Sequence, residues 1–292
     1  MGFCQQCRQL CILACMIDLH THSNVSDGEL SPTALLELAK NSGITALALT
    51  DHDTLAGLEE AEKIAKLLEI RFIPGVESEV EFKPGDFHIL GLGIKQYPDG
   101  PLGNFLEEIR RRRNSRNSRM VHLMNADGLN VTLNELNNLA GGEVLGRMHF
   151  ASWLIAKGMA KNVPDCFEKW LRPGCPYNVP KISPKLEETV EVIRKAGGKA
   201  IIAHPLSLWI SWSRFEKYAP LWKEIGIDGI EALHSGASRS GAAKLAELAK
   251  KNDMLITGGS DFHGSGRPDR RLGYGAAGIS LNEELLLPFD EA

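Results

Sequence analysis

The sequence predicts an α/β fold built on a parallel sheet, and two observations carry the prediction. Short apolar runs alternate with amphipathic stretches of helical period along much of the chain. The apolar runs also tend to end in histidine or carboxylate, at the strand ends where open α/β sheets and barrels collect their functional side chains.

The elements follow in order. Met16–Leu19 reads as a short buried strand. Ser31 followed by Pro32 marks a helix start, with proline at the first helical position, and Gly43 stops that helix after about Ser42. Thr45–Leu49 is a second buried strand. Asp53 or Thr54 is placed to cap a helix over 56–69, with Leu58, Ala61, Ile64, Ala65 and Leu68 on one face. Arg71–Ile73 gives a third strand, and Ser78–Phe82 and Phe87–Leu92 form a hairpin across Lys83-Pro84-Gly85-Asp86. Strands return at Ala200–Ala203, Gly229–Leu233 and Met254–Thr257, with helices over 185–196 and 240–251. Between Gln96 and Pro184 the texture changes to helical patterns over 102–127, 132–139, 147–158 and 163–171, with no buried strand. Residues 96–184 therefore read as a helical insertion between two portions of one barrel, 16–95 and 185–292.

Composition narrows the function classes. With 33 basic and 37 acidic side chains the net charge is −4, so nucleic acid can be held only by a local patch. No segment reaches the roughly 20 apolar residues of a membrane span. Cys4, Cys7, Cys11 and Cys15 crowd the start. A small metal or redox site and a signal peptide are both conceivable there, but residues 1–15 read best as a leader ahead of the first strand. Cys166 and Cys175 are too few for a disulfide framework, so a reducing cytoplasm is the expected compartment.

The chemistry lies in clusters: Asp18-Leu19-His20-Thr21-His22 with Ser26-Asp27-Gly28, Thr50-Asp51-His52-Asp53, Gly75-Val76-Glu77, Phe87-His88, Ala203-His204-Pro205 and Gly259-Ser260-Asp261-Phe262-His263. Two imidazoles at i and i+2 share one face of a strand. Each cluster alone is compatible with an ordinary turn or polar strand end. Six together point to a site for divalent cations, because imidazole and carboxylate are the usual ligands of Zn, Mn and Fe. Ser26 and Ser260 lie near the ligands without an activating base and read as turn and supporting residues.

The order HxH, SDG, TDHD, GVE, H, AHP, GSDFH resembles the PHP (polymerase and histidinol phosphatase) family of metal-dependent phosphoesterases, over about residues 16–284. The resemblance implies a distorted (β/α)7 barrel with two or three divalent ions (Mn, Fe or Zn) at its C-terminal rim. Carried over residue by residue, it implies that His20, His22, Glu77 and Asp261 hold one ion. Glu77 would bridge to a second, completed by His88 and His204, and Asp27, His52 and His263 would hold a third. The catalytic role would fall on His20, His22, Glu77, His204, Asp261 and His263.

The insertion and Gly146-Arg147-Met148-His149-Phe150 are similar to a subgroup acting on nucleotide and RNA phosphates, which includes the bacterial 3′,5′-nucleoside bisphosphate phosphatases and the 5′→3′ exoribonuclease RNase AM. That subgroup often continues HP with Gly-Arg-Tyr, where this chain has Leu206-Ser207-Leu208 and then Trp209. Arg147 and His149, near a helix start, suit a second phosphate, against the alternative of a surface salt bridge. His234 could contact substrate or be a partly buried polar residue.

The run Arg110–Arg113 with Arg116 and Arg119 is either a solvated face or a collar for polynucleotide phosphates, with Arg112, Arg116 and Arg119 on one side. Phe150, Trp153, Tyr177, Trp209 and Trp212 are candidates to stack a base. The expected partner is a nucleotide or short RNA, with no membrane and no stable protein partner. The alternatives are a phosphatase for a small metabolite such as histidinol phosphate, and a non-catalytic PHP interaction module.

Overall fold

The computed structural model describes residues 16–140 and 144–290, so the cysteine-rich leader lies outside the described residues. Seven strands stand side by side in chain order: β1 Met16–Thr21, β2 Ile44–Leu49, β3 Arg71–Val80, β4 Phe87–Leu92, β5 Lys199–Ile202, β6 Gly229–Glu231 and β7 Leu255–Thr257. The sheet is mixed, which corrects the expectation of a parallel one. β4 runs antiparallel to both β3 and β5, and the remaining neighbours are parallel. The sheet curls until the segment after β7 meets β1, where the Asp261 N–H donates to the His20 carbonyl at 2.9 Å and Phe262 bridges Thr21. That closure brings the first and last motifs of the chain together.

Helices α1 Pro32–Asn41, α2 Leu58–Leu68, α7 Leu186–Lys195, α8 Trp212–Ile225 and α9 Arg239–Lys251 belong to the barrel portions. α3 Pro101–Ala126, α4 Leu133–Ala140, α5 Arg147–Ala156 and α6 Val163–Cys166 make up the insertion. α1 starts as expected, with Ser31 Oγ accepting from the Ala34 N–H at 3.1 Å, and Gly43 takes the left-handed conformation after its end. α2 does not: it begins at Leu58 behind Gly57 with no side-chain cap. Asp53 is instead drawn to Ser78 and Arg113. The stretch 163–171 is not one α-helix, because α6 passes into a π-turn over Phe167–Leu171.

The third strand and the first hairpin strand are one element. Pro74 and Gly75 look like punctuation, yet β3 runs through them, because residues 71–74 pair with β2 and residues 75–80 pair with β4. Pro74 has no N–H to offer, but its carbonyl accepts from Gly93 and Ile94 at 2.9 and 3.0 Å. Gly75 is required sterically, since a Cβ there would lie 2.8 Å from Thr50 Cγ2. The uninterrupted β3 delivers Glu77 to the centre of the rim.

The two largest of the four apolar clusters among the described residues divide as follows. One lies between the sheet and the flanking helices, with Leu36, Leu47, Ile89, Phe215 and Trp222. The other is internal to the insertion, with Met120, Leu136, Phe150, Trp153 and Tyr177. Phe150, Trp153 and Tyr177 are thereby removed from the base-stacking candidates, because all three are buried. Trp212 packs beside Phe215. Trp209 alone of the five is strongly exposed, at 73%. No described helix is long and apolar enough to cross a membrane.

Candidate metal centre

The clusters at the ends of β1, β2, β3, β4, β5 and β7 converge on Glu77. This carboxylate is 1% exposed. Its Oε2 lies 3.2 Å from the Nε2 atoms of both His20 and His22 and 3.4 Å from His52 Nδ1. Its Oε1 lies 2.8 Å from both His88 Nδ1 and His204 Nε2. Backbone bonds fix the register of this rim: the Asp53 N–H donates to the Glu77 carbonyl at 2.9 Å, and the Glu77 N–H to the Asp51 carbonyl at 3.2 Å.

Around Glu77, three groups of ligand-type atoms lie close enough to share an ion: His20, His22, Glu77 and Asp261; His52, Glu77 and His88; and His22, Asp27, His52 and His263. All nine residues named from the sequence as ligands are in or against these groups, with His204 joined through Glu77 Oε1. His22 stands between two groups, with Nε2 facing Glu77 and Asp261 and Nδ1 turned toward Asp27. That Nδ1 is buried and has no hydrogen-bond partner among the described residues.

The surrounding bonds set the imidazole tautomers, and the tautomers turn unprotonated nitrogens toward carboxylates. His20 Nδ1 faces Glu231 Oε1 at 2.9 Å, so the proton sits there and Nε2 presents its lone pair to Glu77 and Asp261. His263 Nδ1 faces the Asp261 carbonyl at 2.8 Å, which leaves Nε2 bare toward Asp27. Ser207 Oγ donates to the Asp86 carbonyl and therefore accepts from His204 Nδ1, leaving His204 Nε2 bare toward Glu77. Lone pairs facing carboxylate oxygens at about hydrogen-bond distance repel unless a cation lies between them. In its place a proton must serve: burial opposes the charged form of His20, but Glu231 and Glu77 overcome it and lift His20 to about 10. Burial wins instead at His52 and His204, which are pushed down to about 4 and stay neutral. The donor set fits a divalent ion.

Several contributors were not assigned from the sequence. Glu231, fully buried on β6, orients His20 and also accepts the His204 N–H at 2.6 Å. A carboxylate inside an otherwise apolar strand was the available signal. Asp51 is not aimed at the ions: it accepts from the Ser23 and Ser26 hydroxyls, both at 2.6 Å, and so holds the β1 loop. Arg270 reaches Asp261 and His234 from a position with no motif to mark it. His234 is buried, accepts from the Gly236 N–H through Nδ1 and lies 3.3 Å from Asp261 through Nε2, behind that carboxylate. Arg147 is half-buried at the start of α5 with its guanidinium over the Phe167 ring at 5.9 Å, and His149 Nδ1 accepts from the Gly146 N–H at 2.9 Å. Arg116 is nearly buried beside Arg147 and Arg113. A cavity of about 600 Å³ opens over the centre, with Met148, Trp209 and Arg270 among its walls.

A rim of histidines and carboxylates under an open cavity, on a mixed seven-stranded barrel, is a metal-dependent hydrolytic site. The chain belongs to the PHP domain family, whose model matches residues 18–171. It is 36% identical over 247 residues to a 5′-3′ exoribonuclease of Haemophilus influenzae, covering 84% of this chain and 89% of that protein. It is 35% identical over 260 residues to a 3′,5′-nucleoside bisphosphate phosphatase of Chromobacterium violaceum, covering 88% and 90%. A solved structure from Bifidobacterium adolescentis, described as a metal-dependent phosphoesterase, superposes with a TM-score of 0.78 at 27% identity over 94% of this chain and 96% of that one.

Proposed function

We propose that the chain hydrolyses phosphate esters of nucleotides, releasing phosphate from 3′,5′-bisphosphates or the 5′ nucleotide from short 5′-phosphorylated RNA, in the cytoplasm. The observation that carries this reading is a crowded ligand centre with cations set beside it. Glu77 gathers five histidines within 3.4 Å, and Arg147, Arg116 and His149 stand on the neighbouring insertion. Four of the relatives that share most of the chain's length are named for those two activities, and one from Eggerthella lenta is named for a phosphoribosyl 1,2-cyclic phosphate 1,2-diphosphodiesterase.

His20, His22, Glu77 and Asp261 would hold one ion. Glu77, His88 and His204 would hold a second, and Asp27, His52 and His263 a third. Mn, Fe and Zn all suit this donor set. Bound ions supply Lewis-acid polarisation of the phosphate and an acidified water. The protein's own groups orient and neutralise. Glu231 and Ser207 keep the bare nitrogens of His20 and His204 turned inward, and His234 and Arg270 fix Asp261. Arg147 grips the phosphate that is not cleaved, with Arg116 behind it, and His149 Nε2 is free to add a donor. Trp209 and Met148, both exposed on the cavity wall, offer apolar faces to a base.

The test is hydrolysis of adenosine 3′,5′-bisphosphate, a 5′-phosphorylated oligoribonucleotide and histidinol phosphate by the Mn²⁺-loaded protein. Turnover of either nucleotide substrate that disappears on chelation and in His22→Ala supports the reading. Preference for histidinol phosphate, or undiminished turnover without metal, overturns it.

A further inference from the structure

Helix α3 carries a run of arginines, of which Arg116 stands behind Arg147 and Arg113 reaches Asp53, while the others have no role at the metal centre. Arg111, Arg112, Arg113, Arg116 and Arg119 line, together with Lys181, a groove of about 240 Å³ between α3 and residues 179–182. No carboxylate lines it among the described residues. Four of the six cations are answered from outside: Arg111 and Arg112 by Glu108 at 2.7 and 2.8 Å, Arg113 by Asp53 and Lys181 by Glu79. Arg119 has no carboxylate partner among the described residues. Among the described residues the Arg116 guanidinium hydrogen-bonds only to the Asn117 side-chain oxygen, at 2.8 Å. Arg113, 9% exposed, keeps one terminal nitrogen, Nη1, with no hydrogen-bond partner among the described residues. Buried guanidinium donors left this short of acceptors define a place for an anion.

The groove starts where the metal centre ends. Lys181 pairs with Glu79, which lies 3.7 Å from His88, and Arg113 pairs with Asp53, whose N–H holds the Glu77 carbonyl. From Arg112 to Arg119 the helix advances about 10 Å, room for about two successive phosphates. The remaining walls, including Ile109, Val179 and Ile182, contain no ring on which a base could stack. A ligand held here is gripped by its phosphates alone.

We infer that this groove binds the phosphodiester backbone of a single-stranded oligonucleotide whose terminal nucleotide occupies the metal centre. The inference rests on the RNA reading of that centre and adds a second site that holds the rest of the strand.

The test compares the metal-loaded protein with its Arg112→Ala/Arg119→Ala double variant, both positions being exposed and outside the apolar cores. The probe is a labelled, 5′-phosphorylated oligoribonucleotide of about eight residues with phosphorothioate linkages, followed by fluorescence anisotropy at several salt concentrations. The expected result is about tenfold weaker binding by the variant. Its log K against log salt should be shallower by about 1.4, since two phosphate contacts are lost. The KM for a mononucleotide bisphosphate should not change. Equal octamer binding by both proteins overturns the inference. So does wild-type binding of the octamer no tighter than that of a dinucleotide, and so does competition by polyglutamate as strong as by unlabelled RNA. If no nucleotide is hydrolysed, the reading of the metal centre fails, while the anisotropy result still decides the groove.

Discussion

Glu231 shows how one side chain outside the ligand set can govern the centre. It fixes the proton on His20 Nδ1 and thereby the lone pair that His20 turns toward Glu77. Glu231→Gln keeps the volume but loses the charge, and should weaken metal affinity by about 10- to 100-fold, the range for such supporting partners. Metal titration checks this, with an unchanged circular-dichroism spectrum separating it from misfolding. Protonation supplies a second residue-scale prediction. His88 and His20 are both lifted to about 10: burial opposes the charge, and Glu77 with Glu231 or Glu79 overcomes it. A folded-state value above the unfolded one, near 6.5, adds stability that is full below about pH 6.5 and is lost as pH rises toward 10. Metal-depleted protein should therefore melt at progressively lower temperature from pH 7 to 9.5. With Mn²⁺ present the ions take the place of those protons, and the slope should flatten. Identical slopes with and without metal would show that the histidines are not meeting a cation.

At the scale of elements, the ligand-bearing strand ends were legible because each combines an apolar run with an abrupt His or carboxylate. β3 was read as two pieces, since Pro74-Gly75 is strong local punctuation. Pairing with β2 on one stretch and β4 on the next overrides that preference. α8 went unread because Pro220 sits inside it, although Phe215, Ala219 and Trp222 form its buried face at i, i+4 and i+7. Asp53 was read as a cap because its partner, Arg113, lies 60 residues away on an insertion whose docking has no local signature. The start of α5 was legible as a motif, and its chemistry can be tested. A bisphosphate carries one phosphate that is cleaved and one that is only held, and Arg147 is placed for the latter. Arg147→Ala removes one charge-assisted contact, about 1.5–3 kcal/mol, or roughly ten- to a hundredfold in kcat/KM for a bisphosphate nucleotide. Hydrolysis of p-nitrophenyl phosphate, which has no second phosphate, should fall far less. Equal losses on both substrates would put Arg147 at the reacting phosphate or in the scaffold.

For the whole molecule, the metal centre is also a fastener. Its candidate ligands lie in or next to six different strands, from His20 in β1 to Asp261 and His263 after β7, separated by most of the chain. The insertion has its own apolar cluster from Met120 onward, while Leu102, Leu106 and Ile109 of α3 join the main core, and it meets the rim through Arg113 and Asp53 on one side and Lys181 and Glu79 on the other. Strand ends that converge carboxylates and bare imidazoles repel one another until ions fill the gaps, so the barrel's closure and the ions should stabilise each other. Ions that bind only the folded chain add RT ln(1 + [L]/Kd), about 2.7 kcal/mol at a hundredfold excess over Kd. For a chain of this size that corresponds to a rise in melting temperature of about 5 °C per ion class bound. Scanning calorimetry of the protein with chelator and with saturating Mn²⁺ should show this rise. His22→Ala should lose much of it, since His22 stands between two of the ligand groups. Arg147→Ala, away from the ions, should keep all of it. A melting temperature indifferent to metal would mean that the rim holds its shape without charge compensation, and the centre would then have to be read as a hydrogen-bonded network instead.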